Sequence, residues 1–290
     1  MLVLLGYLVV IGSVVGGYLI VGGHLGVLYQ PSEFLIIFGA GIGAFLTSTN
    51  GKGISATIRV FPRLIAGHRF SKQEAGDVLA LLSHSLTKLM TDKLALEGDL
   101  DDPDNSTLFQ PFQHVLKKDD MLKNFIFDYM KLDLSSPQLS ADAIGELMDH
   151  EIETFEEEAE IPAQGLSAMG DALPAFGIVA AVMGVVHALG SASLNPEGIG
   201  PLIAHAMVGT FLGILLAYGF VSPLASRIRT QIDDRVKMLQ VVKVTYLSTK
   251  RHNSAHLGVE FGRKALFQAE RPTQAELKEQ IKQSKPGASS

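Results

Sequence analysis

Four stretches of the chain are apolar almost without interruption: Leu2–Val21, Phe34–Ser48, Ala172–Ser191 and Pro201–Ser222. A helix rises about 1.5 Å per residue, so about 20 residues cross a hydrocarbon core of about 30 Å. The pattern predicts four membrane helices. Phe34–Ser48 is short for a full span, so it borrows flanking residues or lies against neighbours in a thinner region. Gly12 and Gly16, and again Gly39 and Gly43, are four residues apart and are expected to form close-packing faces. A removed leader is the rival reading of the first stretch, but it has no basic start and no small-residue cleavage site, which favours a retained helix.

From Gly51 to about Ala168 the pattern changes to apolar residues at helical spacing among polar ones, clearest in Val78–Leu96 and Met121–Leu132, with breaks at Pro103, Pro111 and Pro137. The segment after Pro223 begins in the same way, and Gln280–Ser290 reads as disordered. The expected fold is all-α: a polytopic membrane protein with four transmembrane helices and a helical cytoplasmic domain. Its expected parts are residues 1–50 (helices 1 and 2), 51–168 (cytoplasmic domain), 169–223 (helices 3 and 4) and 224–290 (cytoplasmic tail).

Charge sets the orientation. Residues 51–168 hold 11 Lys+Arg against 21 Asp+Glu, and residues 224–290 hold 13 against 6; these two segments contain every basic residue in the chain. The connections Gly22–Glu33 and Ala192–Gly200 contain none, so both charged segments and both termini are expected on the cytoplasmic side. The acidic excess, concentrated in Glu146–Glu160, contributes little to orientation and reads as a solvated helix face. With no cysteine in 290 residues, disulfides and thiolate metal sites are excluded.

Chemistry at membrane depth is sparse. A proline has no amide hydrogen for the carbonyl four residues earlier, so Pro174 frees that of Gly170 and Pro223 that of Gly219. Free carbonyls at this depth are tolerated only against protein or a wet cavity. Thr210 and Ser222 add hydroxyls. Asp171 and Glu33 are placed at opposite mouths of the spans, His187 and His205 toward their outer ends, and no carboxylate is expected at mid-depth. A self-sufficient ion carrier needs such a group, so if ions cross here a partner chain supplies it. Glu146 and His150 share a helix face, but their spacing is not the Glu-x-x-His of a bundle metal site and no second copy exists. With no nucleophile elbow, P-loop or His-Glu-x-x-His present, no enzyme activity, cofactor, metal or nucleic-acid partner is expected.

The residues Leu173–Gly190 (LPAFGIVAAVMGVVHALG) and Ala204–Gly219 (AHAMVGTFLGILLAYG) resemble the core of the MotA family of flagellar motor stator proteins. The likeness extends to Leu5–Val10, to Tyr29-Gln30-Pro31 and to Val259–Lys264, and weakens in Lys52–Ser140. It implies a proton-conducting subunit of the bacterial inner membrane, arranged as a ring of five around two copies of MotB. An aspartate on MotB then binds the ion, and the ring exerts torque on the rotor protein FliG.

By position, the resemblance makes Pro174, Pro223 and Thr210 pathway residues. Ala181, which stands where sodium-driven relatives carry a threonine, indicates protons. Glu97 matches the rotor-facing glutamate, whereas Leu89 replaces its companion arginine and leaves Lys88 and Lys93 as basic candidates. Two rivals remain open: an ExbB/TolQ-type energiser of another envelope machine, and a stand-alone ion channel.

Overall fold

The computed structural model describes residues 2–66, 70–192 and 199–285. Among these the chain is helical: α1 Leu2–Ile20, α2 Leu25–Leu28, α3 Pro31–Ser48, α4 Gly51–Ala66, α5 Lys72–Thr91, α6 Lys93–Asp101, α7 Gln113–Leu116, α8 Asp120–Ser135, α9 Ala141–Ala192, α10 Ile199–Ile214, α11 Ser222–His252, α12 Ala255–Ala265 and α13 Gln274–Gln283. A π-helical turn, Leu215–Val221, joins α10 to α11. Four helical stretches are long and apolar enough to cross a membrane: Leu2–Ile20, Leu25–Ser48, and the apolar parts of α9 and of α10 with α11.

The chain divides into two compact units, Met1–His68 with Glu158–Gln231, and Arg69–Glu157 with Ile232–Ser290. Packing and polarity therefore change at different places. The polar helix α4 and the segment from Glu158 to Ala168 belong with the apolar helices.

In the first unit α3 runs antiparallel to α9. A Cβ added at Gly41 would lie 2.8 Å from Leu173, one at Gly165 2.8 Å from Phe45, and one at Gly53 2.8 Å from Ile161. The close approach on α3 is thus at Gly41. The expected glycine faces are not used inside the chain: Gly12, Gly16, Gly39 and Gly43 all look onto open space. No residue of α1 is buried, and Leu2, Leu8 and Ile20 are among its exposed apolar side chains.

The second unit has an ordinary apolar core of large side chains, including Phe109, Phe112, Phe125, Leu79, Leu81 and Leu96. The expected single run Val78–Leu96 is two helices, because Asp92 ends α5 and its carboxylate then accepts the Ala95 amide to start α6. Asp119 caps α8 through the Met121 and Leu122 amides and receives a bidentate pair from Arg235, Nε and Nη2 each at 2.7 Å.

Helix α12 fits α11 closely at Gly258 and Gly262, where a Cβ would strike Thr249 and Thr245. Its Arg263 is buried, donates twice to Glu260 and reaches the Pro272 carbonyl at 3.0 Å. That guanidinium holds the Glu260 carboxyl below the usual range.

The end of the chain corrects the expectation of disorder from Gln280. Helix α13 continues to Gln283 because Thr273 and Glu276 form a capping box, Leu277 is buried, and Gln280 fits the notch left by Gly76 on α5. Residues 286–290, and most of the connection after Ala192, lie outside the described residues.

Candidate ion pathway and rotor face

Helices α9 and α10 meet backbone to backbone. A Cβ at Gly177 would lie 2.8 Å from the Gly209 carbonyl oxygen and 3.4 Å from the Thr210 Cα, and one at Gly213 2.7 Å from the Leu173 carbonyl oxygen. One at Gly184 would lie 2.7 Å from the Ala206 Cβ. Small residues allow this approach in a membrane, where lipid leaves packing and interhelical bonds as the main sources of association. The seam brings together Pro174, next to Leu173, with Ala181, whose amide nitrogen lies 3.2 Å from the Cβ position of Gly209, and Thr210. Thr210, Ala181 and Pro174 are half-buried along it.

Pro223 joins through its neighbour. The Ser222 hydroxyl sits 2.7 Å from the Cβ position of Gly170, the residue whose carbonyl Pro174 leaves without an amide partner. Directly before Pro223 the helix widens: the Ser222 amide donates to the Ala217 carbonyl five residues back, the π pattern. The wider turn accommodates a proline ring that would otherwise press on the carbonyl four residues earlier. The Phe220 carbonyl within it accepts the Tyr7 hydroxyl at 3.0 Å, with the two rings 4.9 Å apart. A backbone oxygen at membrane depth is thus satisfied by α1, a contact that sequence reasoning missed although Tyr7 lay in a segment it had singled out.

Glu33, expected at the outer edge of the second span, is buried against α9 and α10. It belongs to the first turn of α3, is only 6% exposed, and its Oε2 has no hydrogen-bond partner. That oxygen lies 3.1 Å from the Cβ position of Gly209, beside Ala180 and Ala181. Gly209 is ten residues from the start of α10 at Ile199, and Ala181 eleven from the end of α9 at Ala192. The carboxylate is therefore about 15 Å along the helix axes from those ends. The short second apolar run accompanies this: α3 starts about level with Ala181, in the last quarter of α9, and the one-turn helix α2 precedes it. The shortness of Phe34–Ser48 was the signal available in the sequence.

In the second unit Glu97 and Lys93 are exposed one helical turn apart on α6, with Leu94 exposed beside them. Glu97 lines a groove of about 460 Å³ with Leu100, Asp101, Asp128 and Lys131. Lys88, by contrast, turns inward and is bound to Asp99, whose other oxygen accepts the Ser106 hydroxyl at 2.8 Å. His150 lies on the exposed acidic face of α9, 4.0 Å from Glu153, and among the described residues no three ligands gather to hold a metal.

Two family models match the chain: the Motility protein A N-terminal family over residues 4–93 and the MotA/TolQ/ExbB proton channel family over residues 117–241. Motility protein A of Salmonella typhimurium (strain LT2) and that of Escherichia coli (strain K12) are each 51% identical over 283 residues, covering 97% of this chain and 95% of theirs. Chemotaxis protein LafT of Vibrio parahaemolyticus is 29% identical over 93% of this chain and 94% of its own. In fold, the chain matches a chain of the C. jejuni MotAB structure with a TM-score of 0.77 at 22% identity, covering 94% and 98% of the two chains. The MotAB stator complex of Bacillus subtilis gives 0.72 at 22% identity, covering 95% and 97%. With identity this high over nearly its whole length, the chain belongs to the Motility protein A family, within the MotA/TolQ/ExbB proton channels.

Proposed function

We propose that this chain is the proton-conducting stator subunit of a bacterial flagellar motor, forming with MotB a composite channel whose proton flow drives the rotor. The observation that carries this reading is the glycine-lined seam of α9 and α10, along which Pro174, Ala181 and Thr210 share one wall while Ser222, next to Pro223, meets Gly170. A proline-interrupted helix against a π turn has backbone groups able to change partners as an ion passes, and a tight seam transmits such a change to both helices. MotB supplies the aspartate that binds the proton. Five copies of this chain surround two of MotB in the inner membrane, with both termini cytoplasmic. The open glycine faces of α1 and α3 suit neighbouring helices in that ring.

Torque passes to FliG through Glu97 with Lys93, the cation left exposed once Lys88 is bound to Asp99. A solvated pair of this kind is steering rather than glue. Ala181 offers no oxygen ligand, and a hard cation needs several to replace its water, so the ion is the proton. Swimming that stalls without sodium at fixed pH contradicts that choice.

The test is swimming and proton conductance in cells lacking their own stator, given this chain with its MotB and then with the MotB aspartate changed to asparagine. Both vanish together if the pathway is composite. Conductance that survives the change assigns the ion site to this chain alone and makes it a stand-alone channel. An ExbB/TolQ-type energiser is opposed by the 51% identity to proteins named Motility protein A.

A further inference from the structure

Glu33 has no place in the function proposed so far, yet it is the one carboxylate that the described helices carry to the middle of the seam. Burying a carboxylate without a partner is costly, and such a group persists where it carries a proton or meets one. Two bland roles are available. A carboxylate in the first turn of a helix interacts favourably with the helix dipole, and Glu33 stands in the first turn of α3. A capping role would also be expected to bring it to the amides of that turn. Its Oε2 instead lies against another helix, 3.1 Å from the Cβ position of Gly209, with no hydrogen-bond partner.

The position bears on the route as well as on depth. Gly209 precedes Thr210, and the Cβ position that Glu33 approaches is 3.2 Å from the Ala181 amide nitrogen and 3.1 Å from the Ala180 Cβ. Replacing Gly209 by any other residue would put a methyl group against the carboxylate. Nearest this contact the other titratable side chains are His205 on α10, one turn from Gly209, His187 on α9 and Tyr29 ahead of α3, while Asp171 and the acidic run of α9 lie ten or more residues from Ala181. None of them is bonded to Oε2.

We propose that Glu33 is a proton relay on this chain's own wall of the pathway, receiving protons from the outer side at the level of Ala181 and Gly209 and passing them to the partner's ion-binding carboxylate. In each turn Glu33 takes a proton from hydronium on the outer side, forming one O–H bond as one of hydronium's breaks and leaving neutral water. It then gives that proton to the next acceptor and returns to the carboxylate, with no electrons exchanged. The inference rests on the stator reading, but it adds a second titrating group to a route that otherwise depends wholly on MotB.

The experiment compares the full complex of this chain with MotB carrying Glu33, Glu33→Gln or Glu33→Asp, reading proton flux and swimming across external pH. Glu33→Gln keeps the shape and removes the proton site. It is expected to lower flux by about a hundredfold, the low end of what a placed proton-transfer group contributes, and to delete one inflection from the pH profile. Glu33→Asp is expected to restore most of the flux with that inflection displaced. A role confined to the helix dipole would leave the profile's shape unchanged in all three.

A direct readout on the unaltered complex is the carboxyl carbon resonance of labelled Glu33. A resonance that moves with external pH supports the relay, and one that stays in a single ionisation state throughout overturns it, including where Glu33→Gln fails to assemble. A conducting Glu33→Gln complex with unaltered flux and profile sinks this inference alone. An unaltered complex that conducts nothing sinks the stator reading and this inference with it.

Discussion

The two units of the molecule are held together in opposite ways. The first is packed with many small side chains: its buried positions include Ala163, Ala180, Ala188, Ala206 and Ala217, and at Gly177 and Gly213 glycine meets backbone directly. The second buries Phe109, Phe112 and Phe125 and fastens its helices with ion pairs such as Arg235 to Asp119 and Lys250 to Asp133. A core of large interlocking side chains resists displacement, because each rotamer depends on its neighbours. A seam of backbone against backbone, broken by Pro174 and followed by a π turn, has no such interlock and has carbonyls that can change partners. The contrast separates a unit suited to respond to an ion from one suited to hold a binding face.

The sharpest break of this contrast is at Gly213, where a Cβ would sit 2.7 Å from the Leu173 carbonyl. Gly213→Val is expected to cost about 3 kcal/mol or more, because backbone cannot yield as a side chain can, and to abolish swimming. Melting of the solubilised complex checks it, and a Gly213→Val strain that swims normally would mean the seam is looser than described. In the second unit Arg235→Met leaves the Asp119 carboxylate buried beside its cap. The expected loss is about 3 kcal/mol, visible as faster proteolysis of the second unit while conductance through an assembled complex is retained.

Tyr7→Phe tests the first unit more gently. It deletes the donor to the Phe220 carbonyl, worth about 0.6–1.7 kcal/mol in a membrane. Slower swimming with unimpaired assembly is expected, and an unchanged speed would detach the π turn from function.

The smallest effect concerns α13. His84 on α5 donates from Nε2 to the Ile281 carbonyl at 3.1 Å, and burial lowers its pKa from 6.5, with Lys285 nearby opposing its charge. A lowered pKa in the docked state means that the undocked state binds more protons between the two values. Docking is therefore fully present above about 6.5 and weakens as pH falls toward the docked pKa. Amide exchange in α13 should quicken as pH is lowered through that window after correction for the intrinsic rate. His84→Gln should remove the dependence.

The short second apolar run shows where reading along the chain stops. Hydropathy, charge placement and helical period are properties of one segment at a time, which is why the four spans, the distribution of basic residues and most soluble helices were legible. They are indifferent to how far one helix is shifted along another. The sequence therefore placed Glu33 at a mouth, and the pairing of Gly41 with Leu173 carried it level with Ala181. Lys88 and Lys93 are equally plausible cations in sequence, until Asp99 folds back and takes one of them.

What the amino-acid sequence determined by itself is the number of spans and the grouping of charge, while the family resemblance singled out Pro174, Ala181, Thr210 and Pro223. The first two follow from the free energy of moving side chains between water and hydrocarbon. Only the tertiary structure decided which groups meet at depth: Ser222 at Gly170, Tyr7 at Phe220, and Glu33 at Gly209. Such meetings depend on axial register between helices, and register is set by which small residues allow two backbones to touch.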